Sequence, residues 1–313
     1  MSGMSAYADV RSDEHRWFSV HLYPGTKDSL YGSAFDGFVI RILRHLNNSA
    51  LAGASRFFVR YSDPLPHLRI RVRVPFDMSD DQAVENLDLP DAGQGGLFAR
   101  MVVCGYEPEH GRYGGPAGVR LAEAAFCASS DWVLLRLGAL HDRARPAKVG
   151  AGILASYVAL QAAFGTRATI GEISAWIRDI ELGLFVEPGE QYRAAFDASL
   201  ESQLDTIVDF LDQADESLTQ EHGAGSLFES FLPTWEDVLH QYRQLGRDGK
   251  LKFLGDPVFN AMEAQRRLIP SFLHMTNNRM GLSRLDEAYV AHAIAEACRC
   301  APVVAQPFVK TDA

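Results

Sequence analysis

The stretch His67-Leu68-Arg69-Ile70-Arg71-Val72-Arg73-Val74 alternates strictly, with Leu68, Ile70, Val72 and Val74 on one side and His67, Arg69, Arg71 and Arg73 on the other. Period two is the period of a strand, so the segment predicts a β-strand with one face in an apolar core and one cationic face turned away from it. A guanidinium keeps its charge in a protein, and that second face must therefore meet water or anions. Two readings follow. The face is either the solvated outside of an antiparallel sheet or an anion-binding wall. Arginine in place of lysine at all three positions suits the wall, because its planar fork holds a carboxylate or phosphate at two points.

Upstream of this strand, Arg56 to Tyr61 reads as a partner strand, joined through a turn at Asp63-Pro64. Trp17 to Tyr23 reads as another, ending at Pro24-Gly25. Between them Phe35, Phe38, Val39, Ile42, Leu43 and Leu46 follow helical spacing, with Ser33 as the expected N-cap. Downstream, a glycine-rich loop at Ala92 to Gly96 precedes a strand candidate at Phe98 to Tyr106. Beyond Gly115 the spacing predicts helices over Val119–Leu140, Val149–Phe164, Ile170–Ile180, Gln191–Leu211, Leu227–Leu245, Pro257–Met275 and Ser283–Cys300, with a polar loop at Asp212–Gly225. Strands first and helices later predict an α+β fold. An N-terminal mixed or antiparallel sheet with helices leads into a mostly helical C-terminal half, in a single compact unit. The expected division is a flexible N-terminus at 1–15, one domain over 16–300 and a tail at 301–313.

Thirty Lys plus Arg against forty Asp plus Glu leave a net charge of −10 over 313 residues. Affinity for a nucleic-acid backbone needs clustered cations, so direct nucleic-acid binding is not expected. The N-terminus has no apolar signal core, and the longest apolar stretch, Val149 to Gly165, is interrupted by Ser156, Tyr157 and Gln161. No membrane span is expected, and the chain is placed in the cytoplasm. The four cysteines form neither a disulfide framework nor a zinc pattern. No cofactor and no metal are expected, since HExxH, GxGxxG, GxxxxGK[ST] and GxSxG are all missing.

Two further clusters could carry chemistry. Tyr106-Glu107-Pro108-Glu109-His110-Gly111-Arg112-Tyr113-Gly114-Gly115 lies at a strand-to-helix junction, where loops bring side chains to a sheet edge. Glu109 and Arg112 are spaced to pair there. His274 stands in Ser271-Phe272-Leu273-His274-Met275-Thr276-Asn277-Asn278-Arg279-Met280, near the end of an amphipathic helix. A lone helical histidine is commonly structural, but it is also the side chain best matched to proton transfer near neutrality.

Taken in order, Trp17-Phe18, Leu22-Tyr23, Arg56-Phe57-Phe58-Val59-Arg60-Tyr61-Ser62-Asp63-Pro64, His67-Leu68-Arg69-Ile70-Arg71, Tyr106-Glu107-Pro108-Glu109, Arg112-Tyr113-Gly114-Gly115, Ala122-Glu123, Phe126, His274-Met275 and Asn278-Arg279 resemble the C-terminal domain of class I lantibiotic dehydratases. That domain also occurs alone in thiopeptide-type bacteriocin pathways. The resemblance covers residues 16–300. It implies a lyase that removes glutamate from glutamylated Ser or Thr of a precursor peptide carrying a leader, giving dehydroalanine or dehydrobutyrine.

The chemistry itself is plain. A Ser hydroxyl is a poor leaving group, comparable to water with a pKa of about 15.7, whereas an α-carboxylate has a pKa of about 3.5. Esterification with glutamate makes β-elimination feasible, and fixed cationic donors then stabilise the developing charge.

By the same resemblance Arg69, Arg71, Arg112 and His274 are the catalytic candidates, with His274 acting as base at Cα or as acid toward the leaving carboxylate. His67, Glu109, Tyr113, Asn278 and Arg279 are the substrate-binding candidates, and Glu109 is expected to orient Arg112. One departure occurs, where Ala128-Ser129-Ser130 stands in place of Ala-Asp-Ser. The resemblance also implies a separate glutamyl-tRNA-dependent protein that forms the ester. Exposed strand edges and long amphipathic helices leave room for a homodimer. Two rival readings share the expected fold. One is a thiopeptide pyridine synthase, joining two dehydroalanines by cycloaddition with release of the leader. The other is a non-catalytic subunit that presents the precursor peptide.

Overall fold

The computed structural model describes residues 14–24, 29–90, 97–140, 143, 145–219 and 231–300. The tail at 301–313, the loop at 92–96, Gly25 and nearly all of the segment expected to be flexible at the N-terminus lie outside the described residues.

Strand β1 (His15–Tyr23) is followed by α1 (Ser33–Leu46), β2 (Arg56–Tyr61), β3 (His67–Pro75), α2 (Asp80–Leu87) and β4 (Arg100–Cys104). The four strands form one sheet in the order β2-β3-β1-β4, every neighbouring pair antiparallel. The register places Phe18 opposite Val72, Val20 opposite Ile70, Leu22 opposite Leu68 and Phe58 opposite Ile70. These residues share one face and enter the main core together with the apolar face of α1. The same register puts Trp17, Ser19 and His21 opposite Arg73, Arg71 and Arg69, so the cationic face is continuous across β1 and β3.

Helices make up the rest: α3 (Pro116–Leu140), α4 (Arg145–Phe164), α5 (Arg167–Leu182), α6 (Gly189–Leu200), α7 (Leu204–Thr219), α8 (Leu232–Arg247), α9 (Ala261–Met280) and α10 (Arg284–Cys300). A small hairpin, β5 (Leu251–Phe253) with β6 (Asp256–Val258), precedes α9. The α+β reading holds, with the small antiparallel sheet first and the helical half after it. Helix α4 is long and apolar enough to cross a membrane, yet 56% of its apolar window is buried inside the fold. It packs on α8, α9 and α10.

Several boundaries differ from expectation. The helix expected over Gln191–Leu211 breaks into α6 and α7, because the chain turns where the Gln203 N–H donates to Leu200 O at 2.8 Å. Of the polar loop expected over Asp212–Gly225, Asp212 to Thr219 are instead the last part of α7, and 220–225 lie outside the described residues. The aspartates of that part are satisfied by partners elsewhere: Asp212 and Asp215 both pair with Arg167, at 2.7 and 2.8 Å, and Tyr157 donates to Asp215. The helix expected from Pro257 starts only at Ala261, after the hairpin, with Asn260 as its N-cap. Helix α1 is entered through Gly32 and not through a Ser33 cap.

Candidate active site

The loop from Tyr106 to Gly115 joins β4 to α3 and is pinned from both sides. Gly114 adopts φ +80°, and a Cβ there would sit 3.0 Å from Leu251 and 3.2 Å from Phe253 of the hairpin. A glycine is therefore needed for both conformation and space. The hairpin bonds the loop directly, the Lys252 N–H donating to Gly114 O at 3.2 Å and the Leu254 N–H to Gly111 O at 2.8 Å. On the other side Gly118 leaves no room for a side chain, since its Cβ would lie 1.7 Å from Tyr113 O. The Tyr242 hydroxyl donates to that same oxygen at 3.3 Å. Arg112 projects from this fixed loop about half exposed, its Nη1 3.0 Å from Glu109. An exposed pair of this kind adds little stability, so its main effect is to hold the guanidinium in one direction.

On the sheet, each arginine of β3 lies against an aromatic ring. Arg69 stands 3.4 Å from the Tyr61 ring centroid, Arg71 lies 5.3 Å from Phe57 and 4.9 Å from Tyr106, and Arg73 lies 5.3 Å from Trp17. This face is thus an aromatic-backed cationic wall, with Tyr106 against Arg71 and, beside Arg73 and Trp17, Arg120 and Glu123 of α3. His67 is buried and neutral. Its Nδ1–H donates to Leu65 O at 2.7 Å, and its Nε2 accepts from Arg69 Nε at 3.0 Å. A carbonyl can only accept and a guanidinium can only donate, so the tautomer is determined and His67 orients Arg69. Burial, with Arg69 nearby, holds the His67 pKa below its ordinary value. Burial also lowers that of Arg71, whose Nε is enclosed without a hydrogen-bond partner among the described residues.

His274 lies on α9 with Pro270 one turn before it, facing α10. Its Nδ1 is 2.9 and 3.1 Å from the two carboxylate oxygens of Glu287, which is 5% exposed. Behind that pair Arg284 donates to both oxygens of Glu181, at 2.8 and 2.9 Å, and lies 3.8 Å from Glu287. Burial lowers the His274 pKa to about 4, and Arg284, Arg112 and Arg279 push the same way against Glu181. Burial raises that of Glu287 well above the ordinary carboxylate value. A small cavity lined by His274, Glu181, Glu287, Ser174 and Asn277 adjoins the group, with room for about one water molecule.

Tyr113 is where the segments meet. Burial pushes its hydroxyl up to about 12, Glu109 adds to this, and Arg112 and Arg279 oppose it, Arg112 through a hydrogen bond. Glu109 also supports the charge on Arg71, and Arg112 and Arg279 both act on His274. Strand β3, the Arg112 loop and α9 therefore share one electrostatic zone. Arg69 belongs to it through Arg71. Among the described residues no hydrogen bond joins Arg69, Arg71 or Arg112 to His274.

Asn278 and Arg279 are engaged elsewhere. Among the described residues the outer edge of β2 has no neighbouring strand, and these two side chains serve it. The Arg60 N–H donates to Asn278 Oδ1 at 2.9 Å, and Asn278 Nδ2 donates to Arg60 O at 3.0 Å. Arg279 Nε donates to Phe58 O at 2.7 Å, while the Phe58 N–H reaches Ser130 at 3.3 Å. Arg279 is fully buried, which lowers its pKa to about 9. Its Nη1 bonds Ser129 at 2.9 Å, so the departure at Ala128-Ser129-Ser130 puts a hydroxyl where a carboxylate would have faced this cation. Sequence reading missed Glu287, Arg284 and Glu181. A signal existed in the charged residues on otherwise apolar helical faces, but nothing local links them to His274.

The family model described as "Lantibiotic biosynthesis dehydratase C-term" matches residues 17–298, and the chain belongs to that family. Nisin biosynthesis protein NisB of Lactococcus lactis subsp. lactis is 30% identical over 113 residues, which are 36% of this chain and 11% of NisB. The matched segment is thus only about a tenth of that relative. Two solved structures share the fold. The pyridine synthase TbtD from thiomuracin biosynthesis has a TM-score of 0.62 at 17% identity, over 90% of this chain and 97% of TbtD. The tRNA-dependent lantibiotic dehydratase MibB from Microbispora sp. 107891 has a TM-score of 0.51 at 22% identity, over 95% of this chain and 28% of MibB.

Proposed function

We propose that the protein eliminates glutamate from glutamylated Ser or Thr side chains of a ribosomally made precursor peptide, leaving dehydroalanine or dehydrobutyrine. The observation that carries this reading is that three elements distant in sequence meet around Tyr113: its ring packs on Phe126 and on Phe272, two residues before His274; Phe126 packs on Phe57, whose ring backs Arg71; and the Glu109–Arg112 pair stands on the same loop as Tyr113. This junction combines a proton-transfer group with fixed cations, which is what the reaction needs. His274, kept neutral by burial, begins as the base. It takes the Cα proton, the electron pair forms the Cα–Cβ double bond, and the Cβ–O bond breaks with glutamate leaving as a carboxylate. Arg71 and Arg112 stabilise the developing negative charge. Arg69, oriented by His67, binds the glutamyl group, and Glu109 directs Arg112. The partners in this reading are the leader-bearing precursor peptide and a glutamyl-tRNA-dependent activity that makes the ester, all in the cytoplasm.

Alanine at Arg112 or at His274 should leave a folded protein that cannot release glutamate from a glutamylated peptide. Wild-type turnover by either variant would remove that residue from the mechanism. A second reading is favoured by the match to nearly the full length of TbtD. In it, the same fold joins two dehydroalanines and expels the leader. That reaction has no free glutamate to hold, so the arginine wall supports elimination over it.

A further inference from the structure

Two carboxylates, Glu181 and Glu287, are 4% and 5% exposed as residues. A buried carboxylate needs hydrogen-bond donors: Arg284 supplies them to Glu181, whereas it stays 3.8 Å from Glu287, whose donor comes from His274. His274 Nδ1 faces both oxygens of Glu287 at 2.9 and 3.1 Å, the arrangement of an N–H aimed between two acceptors. Arg284 is held away from His274 by its two bonds to Glu181, so it adds charge to the group without competing for the imidazole. The remaining ring nitrogen, Nε2, has no protein partner among the described residues.

We infer that Glu287 is a positioning residue for His274: it retains a proton at Nδ1, which leaves Nε2 as the nitrogen that exchanges protons with substrate, while the Glu181–Arg284 pair keeps Glu287 in place. This rests on the reading of His274 as the proton-transfer group. In the resting state Nδ1 carries hydrogen and Nε2 a lone pair. After taking the Cα proton, Nε2 carries hydrogen and the positive ring is paired with Glu287. The inner proton is shared by the two groups, and the outer one does the work. The titration accordingly belongs to the pair and not to either residue.

The test reads the imidazole directly, without substrate. The full chain is labelled with 15N-histidine, and the His274 signals are identified by their loss in His274→Gln. The expected result at pH 7–8 is a pyridine-type Nε2 and a protonated Nδ1. A protonated Nε2 with a pyridine-type Nδ1 would overturn the inference, whatever the activity. Glu287→Gln is the companion variant. It should lower kcat on a glutamylated peptide by at least about tenfold, toward the roughly 10⁴-fold loss seen when the carboxylate behind a catalytic histidine becomes an amide, with KM within about twofold. A kcat within about twofold of wild type would refute the positioning role. Wild-type protein that keeps the Nδ1–H tautomer yet releases no glutamate would refute the proposed function and leave the tautomer assignment standing.

Discussion

Asn278→Ala separates two roles that the residue could play. In the structure Asn278 is buried and makes both backbone bonds of Arg60, accepting from its N–H at 2.9 Å and donating to its C=O at 3.0 Å. Alanine leaves both groups buried and unpaired at the edge of β2. Each such group costs about 1–3 kcal/mol, so the variant should lose about 4 kcal/mol as a central value for the two. At 2–4 °C per kcal/mol for a chain of this order, the melting temperature falls by roughly 8–16 °C. Urea or thermal melts followed by circular dichroism measure the loss, and a substrate titration at 25 °C measures KM on the folded fraction. Low stability with KM within about twofold of wild type is the expected outcome. An unchanged melting temperature with a KM raised tenfold or more would show that the side chain serves the substrate and not the strand.

Three other perturbations bear on the same picture. Asp36 is fully buried between Arg60, at 2.8 Å, and Lys148, so Asp36→Ala strands two buried cations and should cost about 3–5 kcal/mol in a denaturant melt. A loss below about 1 kcal/mol would mean that the cations find other partners. Arg112→Ala removes an exposed pair and should leave the melting temperature unchanged within about 2 °C, while slowing elimination about 10²–10³-fold. Burial lowers the His274 pKa to about 4, so within the coupled His274–Glu287 pair the imidazole is already without its second proton at neutrality. The rate should then be flat from pH 8 down to about 5 and fall only in more acid solution, because protonation disables a base as pH drops through its pKa. A rate halved near pH 6.5 would contradict the burial-lowered value.

Strand β3 was legible because its information is local: each residue's face follows from its neighbour's. Hairpin β5–β6 was not, for two reasons. Its strands are three residues each, too short to show a period. Its two-residue turn is Leu254-Gly255, at φ +51° and +97°, a conformation that a sequence usually announces with Asn-Gly. Pro257 has the look of a helix start in the sequence, yet it sits in β6. The aspartates at the end of α7 have the composition of a loop, and only Arg167 and Tyr157, distant in sequence, make them helical.

At the site, Arg69, Arg71, Arg112 and His274 could be named from short motifs, and the Glu109–Arg112 pair from its spacing. What a motif does not say is which way a side chain faces. Asn278 and Arg279 stand in the same short segment as His274, yet they turn to the β2 edge while His274 turns to α10. Glu287 lies thirteen positions beyond His274 on the next helix, and only the packing of α9 on α10 joins them.

The central claim is elimination of glutamate. The most direct measurement is the mass spectrum of a glutamylated linear peptide after incubation with the pure protein, beside an already dehydrated peptide treated in the same way. The account predicts loss of one glutamic acid per modified site from the first peptide, free glutamate in solution, and no change in the second. An intact glutamylated peptide, together with macrocycle formation and leader release from the dehydrated one, would contradict it.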